Sequence, residues 1–193
     1  MGRTHSVTDA KLIDADQNGT ISKRELAFYI ARHDNLWSML SIHLNLPEQK
    51  CREIATDVAY EFAKRKKKKG EWVNESYVAS PPSDRQREPT VQEIQSFLDF
   101  VKEPKGEMEF FHRTVFRAFD QDENGYLDAQ ELDKFLDIFY QADSVFAGGV
   151  QLPSKRKLKA HVMSEFDVNG DGKLDFQEIR PFLSGEAQIL AAN

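Results

Sequence analysis

The chain has 193 residues, enough to bury a real core as one body or two small lobes. Hydrophobic residues make up 40% and charged residues 30%, the balance of an ordinary soluble domain. A single cysteine, Cys51, excludes an internal disulfide, and no apolar run is long enough to span a bilayer, so a cytoplasmic protein is the expectation. The net charge of −6 is uneven: residues 1–80 hold 13 Lys/Arg against 11 Asp/Glu, and the remainder 13 against 21.

In chain order, Met1-Gly2-Arg3-Thr4-His5-Ser6 matches a crude acylation pattern, but Arg3 directly after the glycine argues for an ordinary start. Thr8 or Asp9 caps a short helix ending at Ile13. Asp14 to Glu25 then reads DADQNGTISKRE, with oxygen-bearing side chains at Asp14, Asp16, Asn18, Ser22 and Glu25. An amphipathic helix is expected from Ser22 to about Leu44, with Leu26, Ile30, Trp37 and Leu40 on one face. Leu46-Pro47 opens another helical segment, which ends at Glu61-Phe62 and runs into the basic stretch Lys64–Lys69. Six like charges repel and are expected to stay in solvent. A nuclear-import signal and an anionic membrane contact are the functional readings of this run. Nucleic acid is the weakest option, because no aromatics are interleaved.

Ser80-Pro81-Pro82 through Glu88-Pro89 is polar and proline-rich, which marks residues 81–90 as a linker. Thr90 and Glu93 form a capping box for a helix to about Val101, and Glu103-Pro104-Lys105-Gly106 breaks it. The next helix leads through Phe116 and Phe119 into Asp120 to Glu131, DQDENGYLDAQE, with Asp120, Asp122, Asn124, Asp128 and Glu131 in the same places as the first loop. An exiting helix carries Leu132, Phe135, Leu136 and Phe139, and Gly148-Gly149 mark a flexible connection. Asp167 to Glu178, DVNGDGKLDFQE, repeats the pattern with Asp167, Asn169, Asp171, Asp175 and Glu178, and Pro181 should kink the last helix.

These three stretches share a physical logic. A hard cation takes six to eight oxygens, so side chains converge from the first, third and fifth places, and a glycine in the sixth (Gly19, Gly125, Gly172) allows the sharp turn. Backbone carbonyls of Thr20, Tyr126 and Lys173 supply the seventh place. Ser22, Asp128 and Asp175 stand in the ninth, and the closing glutamate can give both oxygens. The chain therefore resembles the EF-hand (calmodulin) superfamily. The resemblance implies an all-α fold of two EF-hand pairs, with short two-stranded β-bridges at Ile21, Leu127 and Leu174, and three Ca²⁺ sites at which Mg²⁺ competes.

A repeat extends the pattern: Pro47 and Pro153 each lie 33 residues after Asp14 and Asp120. It implies a fourth hand that has lost its ligands, with Ala63 for the first aspartate, Gly70 and Trp72 at turn and bridge, and Ser76 for the closing glutamate. The implied domains are an N-terminal pair in residues 1–80 and a C-terminal pair in 91–193 with an extra leading helix. The first loop has three carboxylates and the others four, so the C-terminal pair should fill first, in a range of about 10⁻⁷ to 10⁻⁵ M.

The expected role is an intracellular Ca²⁺ sensor engaging a protein target through apolar surface exposed on ion binding, with net repulsion falling as charge is neutralised. Only four methionines against fourteen phenylalanines argue against a promiscuous groove. The alternatives are a buffer of the sarcoplasmic calcium-binding type and, weakest, a luciferin-binding photoprotein, for which His, Trp and Tyr are too few. No phosphate loop or nucleophile setting suggests an enzyme, and a regulatory module of a larger enzyme stays open.

Overall fold

The computed structural model describes residues 9–32, 41, 44, 46–64, 67–68, 71–72, 87–146 and 154–184. Helices α1 (Asp9–Ile13), α2 (Lys23–Ile30) and α3 (Glu48–Ala63) are followed by strands β1 (Lys67–Lys68) and β2 (Glu71–Trp72). Then come α4 (Val91–Val101), α5 (Pro104–Phe119), β3 (Tyr126–Leu127), α6 (Ala129–Phe146), α7 (Lys155–Phe166), β4 (Leu174–Asp175) and α8 (Phe176–Leu183). These residues form two compact units: the first takes 9–32, 47–64, 67–68, 71–72 and 87–111, and the second 41, 44, 46, 112–146 and 154–184.

In the first unit α1 packs on α4 and α2 on α3. Ala10 N–H, in the first turn of α1, donates to Gln95 Oε1 at 3.1 Å, and Lys102 pairs with Asp9 at 2.7 Å. Lys23 pairs with Asp57 at 2.5 Å across α2 and α3. Ile13, Leu26, Ile30, Val58, Phe62, Ile94 and Phe97 are buried at helical spacing, which is why these segments are helices with one apolar stripe. Phe62 stacks on Phe100 at 5.4 Å and meets Phe97 edge-on at 5.8 Å, and Phe97 meets Phe110 at 5.3 Å.

In the second unit Phe119 meets Phe135 at 5.2 Å and Phe135 meets Phe182 at 5.8 Å, and Phe116 meets Phe176 at 5.6 Å. Pairs of this kind add about 0.5–1.5 kcal/mol each beyond the area they bury. Strands β3 and β4 pair antiparallel, Tyr126 opposite Asp175 and Leu127 opposite Leu174. The arginine Arg113 is buried with its guanidinium 4.3 Å over the Phe176 ring.

Several expectations are corrected. Helix α2 stops at Ile30, with Ala31 as its cap, rather than running on from there toward Leu44. Trp37 and Leu40 lie outside the described residues, as do the amino-terminal motif, Ser76, Gly148-Gly149 and the side chain of Phe139. Trp72 does not bridge the first loop: it pairs with Lys67 in a hairpin, and Thr20 bridges Thr90 instead. Residues 87–90, read as the end of a linker, are therefore strand partner to the first loop. The helix Val91–Val101, expected to lead the C-terminal pair, packs in the first unit. Lys64 is not held out in solvent either. It is buried, 3.1 Å from Glu61 Oε1 and 4.5 Å over the Tyr60 ring, because a lysine stem and one paired ammonium can be sheltered where six cannot.

The turn into α5 is tight. A Cβ on Gly106 would lie 1.9 Å from the Phe100 carbonyl oxygen. Gly106→Ala gains about 1 kcal/mol of helix propensity but forces backbone apart at an overpacking cost of about 1–3 kcal/mol. Net destabilisation is expected, and urea unfolding measures it; a stabilised variant contradicts the packing described.

Candidate metal centres

Each of the three acidic loops sits between two helices and is wired by the same hydrogen bonds. The first aspartate accepts from the backbone N–H groups four and five residues on. These are Asn18 and Gly19 to Asp14 (3.1 and 3.0 Å), Asn124 and Gly125 to Asp120 (both 3.0 Å), and Asp171 and Gly172 to Asp167 (3.1 and 3.0 Å). The fifth side chain accepts from the seventh N–H: Thr20 to Asn18 and Tyr126 to Asn124 at 2.8 Å, Lys173 to Asp171 at 2.9 Å. These bonds curl the backbone inward and aim the remaining carboxylate oxygens at one point.

The closing glutamate ties the loop's ends together. Glu25 accepts from Ala15 and Ser22 N–H (2.8 and 2.9 Å), Glu131 from Gln121 and Asp128 (2.7 and 3.1 Å), and Glu178 from Val168 and Asp175 (3.2 and 2.9 Å). In return Ser22, Asp128 and Asp175 accept from the N–H of their glutamate, forming capping boxes that start α2, α6 and α8. Ligand and helix start are thus one residue, so displacement of the carboxylate acts directly on the exiting helix.

The required backbone is unusual. Gly19, Gly125 and Gly172 have φ of 85°, 88° and 79°, where an L side chain is strained. The fourth place is left-handed too, at Gln17 (57°), Glu123 (60°) and Gly170 (71°), which the spacing of ligands did not reveal. Glu123 is held by an ion pair to Arg117, whose Nη1 also donates to the Asp120 carbonyl at 2.7 Å.

Carboxylate oxygens of Asp14, Asp16 and Glu25 lie within 4.8 Å of one another, as do those of Asp120, Asp122 and Glu131. In the third loop the amide and the carboxylate exchange places, Asn169 in the third and Asp171 in the fifth, so it carries four carboxylates as the second loop does. Hard, clustered oxygens with no sulfur or imidazole among them fit Ca²⁺ or Mg²⁺ rather than a softer metal. Asn18, Asn124, Ser22, Asp128 and Asp175 stand in the same frames, and Thr20, Tyr126 and Lys173 offer their carbonyls.

Electrostatics differ among the ligands. Donors from the Ser22 backbone and hydroxyl and the Ala15 backbone outweigh desolvation and hold the Glu25 carboxyl below its usual range. The Glu131 and Gln130 N–H groups do the same for Asp128. Burial pushes Asp120 the other way, from 3.8 to about 6, against the Gly125 and Asn124 N–H groups and the Arg117 charge. A carboxyl raised on folding stabilises the ion-free protein at low pH, and that contribution is lost as pH rises through about 6. In chelator-treated protein, stability carried by Asp120 should fall between about pH 4 and 6 by on the order of 2 kcal/mol. Urea unfolding across that range, with Asp120→Asn for comparison, measures it; an identical pH slope in the variant contradicts it.

Residues 109–184 match the family model of an EF-hand domain pair, and residues 11–28 match that of an EF hand. Calretinin of Gallus gallus is 36% identical over 80 residues, 39% of this chain and 28% of calretinin. Calbindin-32 of Drosophila melanogaster is 34% identical over 79 residues, 39% of this chain and 26% of the relative. Secretagogin of Xenopus laevis is 29% identical over 65 residues, 34% of this chain and 23% of the relative. The chain thus aligns with about a quarter of the length of each of these proteins. The frame of hydrogen bonds and the matches agree that this chain carries EF-hand calcium-binding domains, in residues 11–28 and 109–184.

Proposed function

We propose that the protein binds three Ca²⁺, one in each of the loops Asp14–Glu25, Asp120–Glu131 and Asp167–Glu178, and acts as an intracellular sensor rather than an enzyme. The observation that carries this reading is the identical wiring of the three closing glutamates, each bonded at once to the start of its loop and to the cap of its exiting helix. The ligands are Asp14, Asp16, Asn18, Thr20, Ser22 and Glu25 in the first loop. Asp120, Asp122, Asn124, Tyr126, Asp128 and Glu131 serve the second. Asp167, Asn169, Asp171, Lys173, Asp175 and Glu178 serve the third. Mg²⁺ competes for the same oxygens.

An open groove of about 320 Å³, in which Leu12, Ile13, Phe28 and Tyr29 are flanked by Arg24, Glu25 and Arg32, favours the sensor over the buffer. Leu12 and Phe28, 70% and 67% exposed, line it with Tyr29, and Glu25 of the first loop lines it as well. Movement of that carboxylate onto an ion changes the groove wall, so ion capture and apolar exposure are mechanically joined. Similarity to calretinin, calbindin-32 and secretagogin supports calcium binding and leaves the choice to experiment.

Glu131→Gln is expected to lower the calorimetric stoichiometry from three ions to two; three ions still bound contradicts the assignment. A hydrophobic dye should brighten on adding Ca²⁺ to the parent chain, and a signal indifferent to the ion favours the buffer.

A further inference from the structure

Among the described residues a fourth glutamate, Glu93, is wired like the three closing glutamates. Thr90 N–H donates to Glu93 Oε2 at 2.7 Å and Thr90 Oγ1 accepts from Glu93 N–H at 3.2 Å, the same capping box as in the acidic loops. The difference lies at the other carboxylate oxygen. Where Glu25, Glu131 and Glu178 accept from the second residue of their loops, Glu93 Oε1 accepts from Arg87 Nη2 at 3.0 Å, while Arg87 Nη1 donates to Oε2 at 2.8 Å. The carboxylate therefore holds a bidentate guanidinium. Burial alone would raise the Glu93 carboxyl, but Arg87 and the Thr90 donors outweigh it and hold it low.

Register gives the same correspondence independently. Thr20 bridges Thr90, as Tyr126 bridges Asp175. Ile21 N–H donates to the Pro89 carbonyl at 2.8 Å and Val91 N–H to the Gly19 carbonyl at 3.1 Å. Pro89 thus faces Ile21 as Leu174 faces Leu127. Arg87 lies six residues before Glu93, the place held by Gly19, Gly125 and Gly172 before their glutamates. Helix α3 packs on α2, and α4 on α1. Gly125 stands six residues after the end of α5, whereas Arg87 stands 24 after Ala63, so this loop has grown by 18 residues and carries the hairpin β1–β2.

We propose that Glu93 closes a hand entered by α3 and left by α4, and that Arg87 is its resident cation, occupying the place at the glutamate that a divalent ion takes in the other loops. The donor set does not fit a metal ion. Of the twelve places ending at Glu93, the third, fifth and ninth carry side-chain oxygens (Asp84, Gln86 and Thr90), but the first is Pro82, which has none, the sixth is Arg87 in place of glycine, and its guanidinium already neutralises the carboxylate. Arg87 is then a positioning residue: it fixes Thr90 and Pro89 against the first loop at every calcium concentration. The functional consequence, that only the first loop in this unit responds to Ca²⁺, rests on the function proposed above; the wiring itself does not.

Hydrogen exchange of the Ile21 and Val91 amides in the full calcium-free chain tests it. Arg87→Ala should speed both by about tenfold, the low end for losing a charged hydrogen-bonded pair that is a third exposed, with exchange in residues 112–184 unchanged. Arg87→Lys, which keeps the charge but not the fork, should fall between, and methylguanidinium at tens of millimolar should slow the Arg87→Ala chain again. Exchange unaltered in Arg87→Ala overturns the proposal. So does equal acceleration in Arg87→Lys with no effect of methylguanidinium, which assigns the side chain to packing alone. Should Arg87→Ala fail to fold, the Arg87 Nε resonance of the parent chain decides: unmoved at Ca²⁺ saturation supports the resident cation, and displacement overturns it. A first loop that binds no ion is a separate result, seen when Glu25→Gln leaves the calcium stoichiometry unchanged.

Discussion

The closing carboxylate is the constraint on which the loops depend. One glutamate side chain accepts from a backbone N–H at the start of the loop and from another at the cap of the exiting helix, so a span of twelve residues is cinched at a single group. Buried or half-buried backbone donors need partners, and here those partners are the groups that also present oxygens to a cation. Structure and ligand set are therefore not separable. A loop that kept its fold without the glutamate would leave the cap and the loop start unsatisfied together.

The same economy creates a charge problem. Carboxylates a few ångströms apart repel by about 4 kcal/mol at 4 Å in a near-surface dielectric, and three such groups crowd within 4.8 Å in each of two loops. Backbone and hydroxyl donors act against that repulsion at Glu25, whose carboxyl they hold below its usual range. Asp120 is fully buried and its carboxyl is raised instead, because desolvation outweighs the Gly125 and Asn124 N–H groups and the Arg117 charge.

Much of this was legible before any coordinates. The ligand spacing located Asp14, Asp120 and Asp167 as loop starts, and helical periodicity placed Leu26, Phe135 and Leu136 in the interior, because both signals are local. The fourth-place residues Gln17 and Glu123 were missed: their strain follows from backbone curvature and leaves no mark in residue type. The partner of the first loop was misplaced for a different reason. The repeat placed a helix ending at Phe62, where the structure has α3, but counting forward from it assumed a loop of nearly standard length, whereas the bridge to the first loop lies at Thr90 and not at Trp72. The capping box at Thr90 and Glu93 was visible, and its likeness to Ser22 and Glu25 was the signal that anchoring the count at the closing glutamate would have caught.

That comparison also shows what a paired loop needs from its neighbour. The first loop requires a strand edge at Thr20 and Ile21, and it is indifferent to whether that edge belongs to a loop holding a metal. A proline can stand in the bridge because only its carbonyl is used there; the missing N–H of Pro89 costs nothing where Ile21 is the donor. What the edge does need is a neutralised closing carboxylate, since an unpaired glutamate at the start of α4 would be left half-buried beside the first acidic loop. A guanidinium meets that need with two directed hydrogen bonds, where an ammonium would offer a single point charge. The cap at Glu93 therefore needs no metal ion as long as an arginine lies within reach.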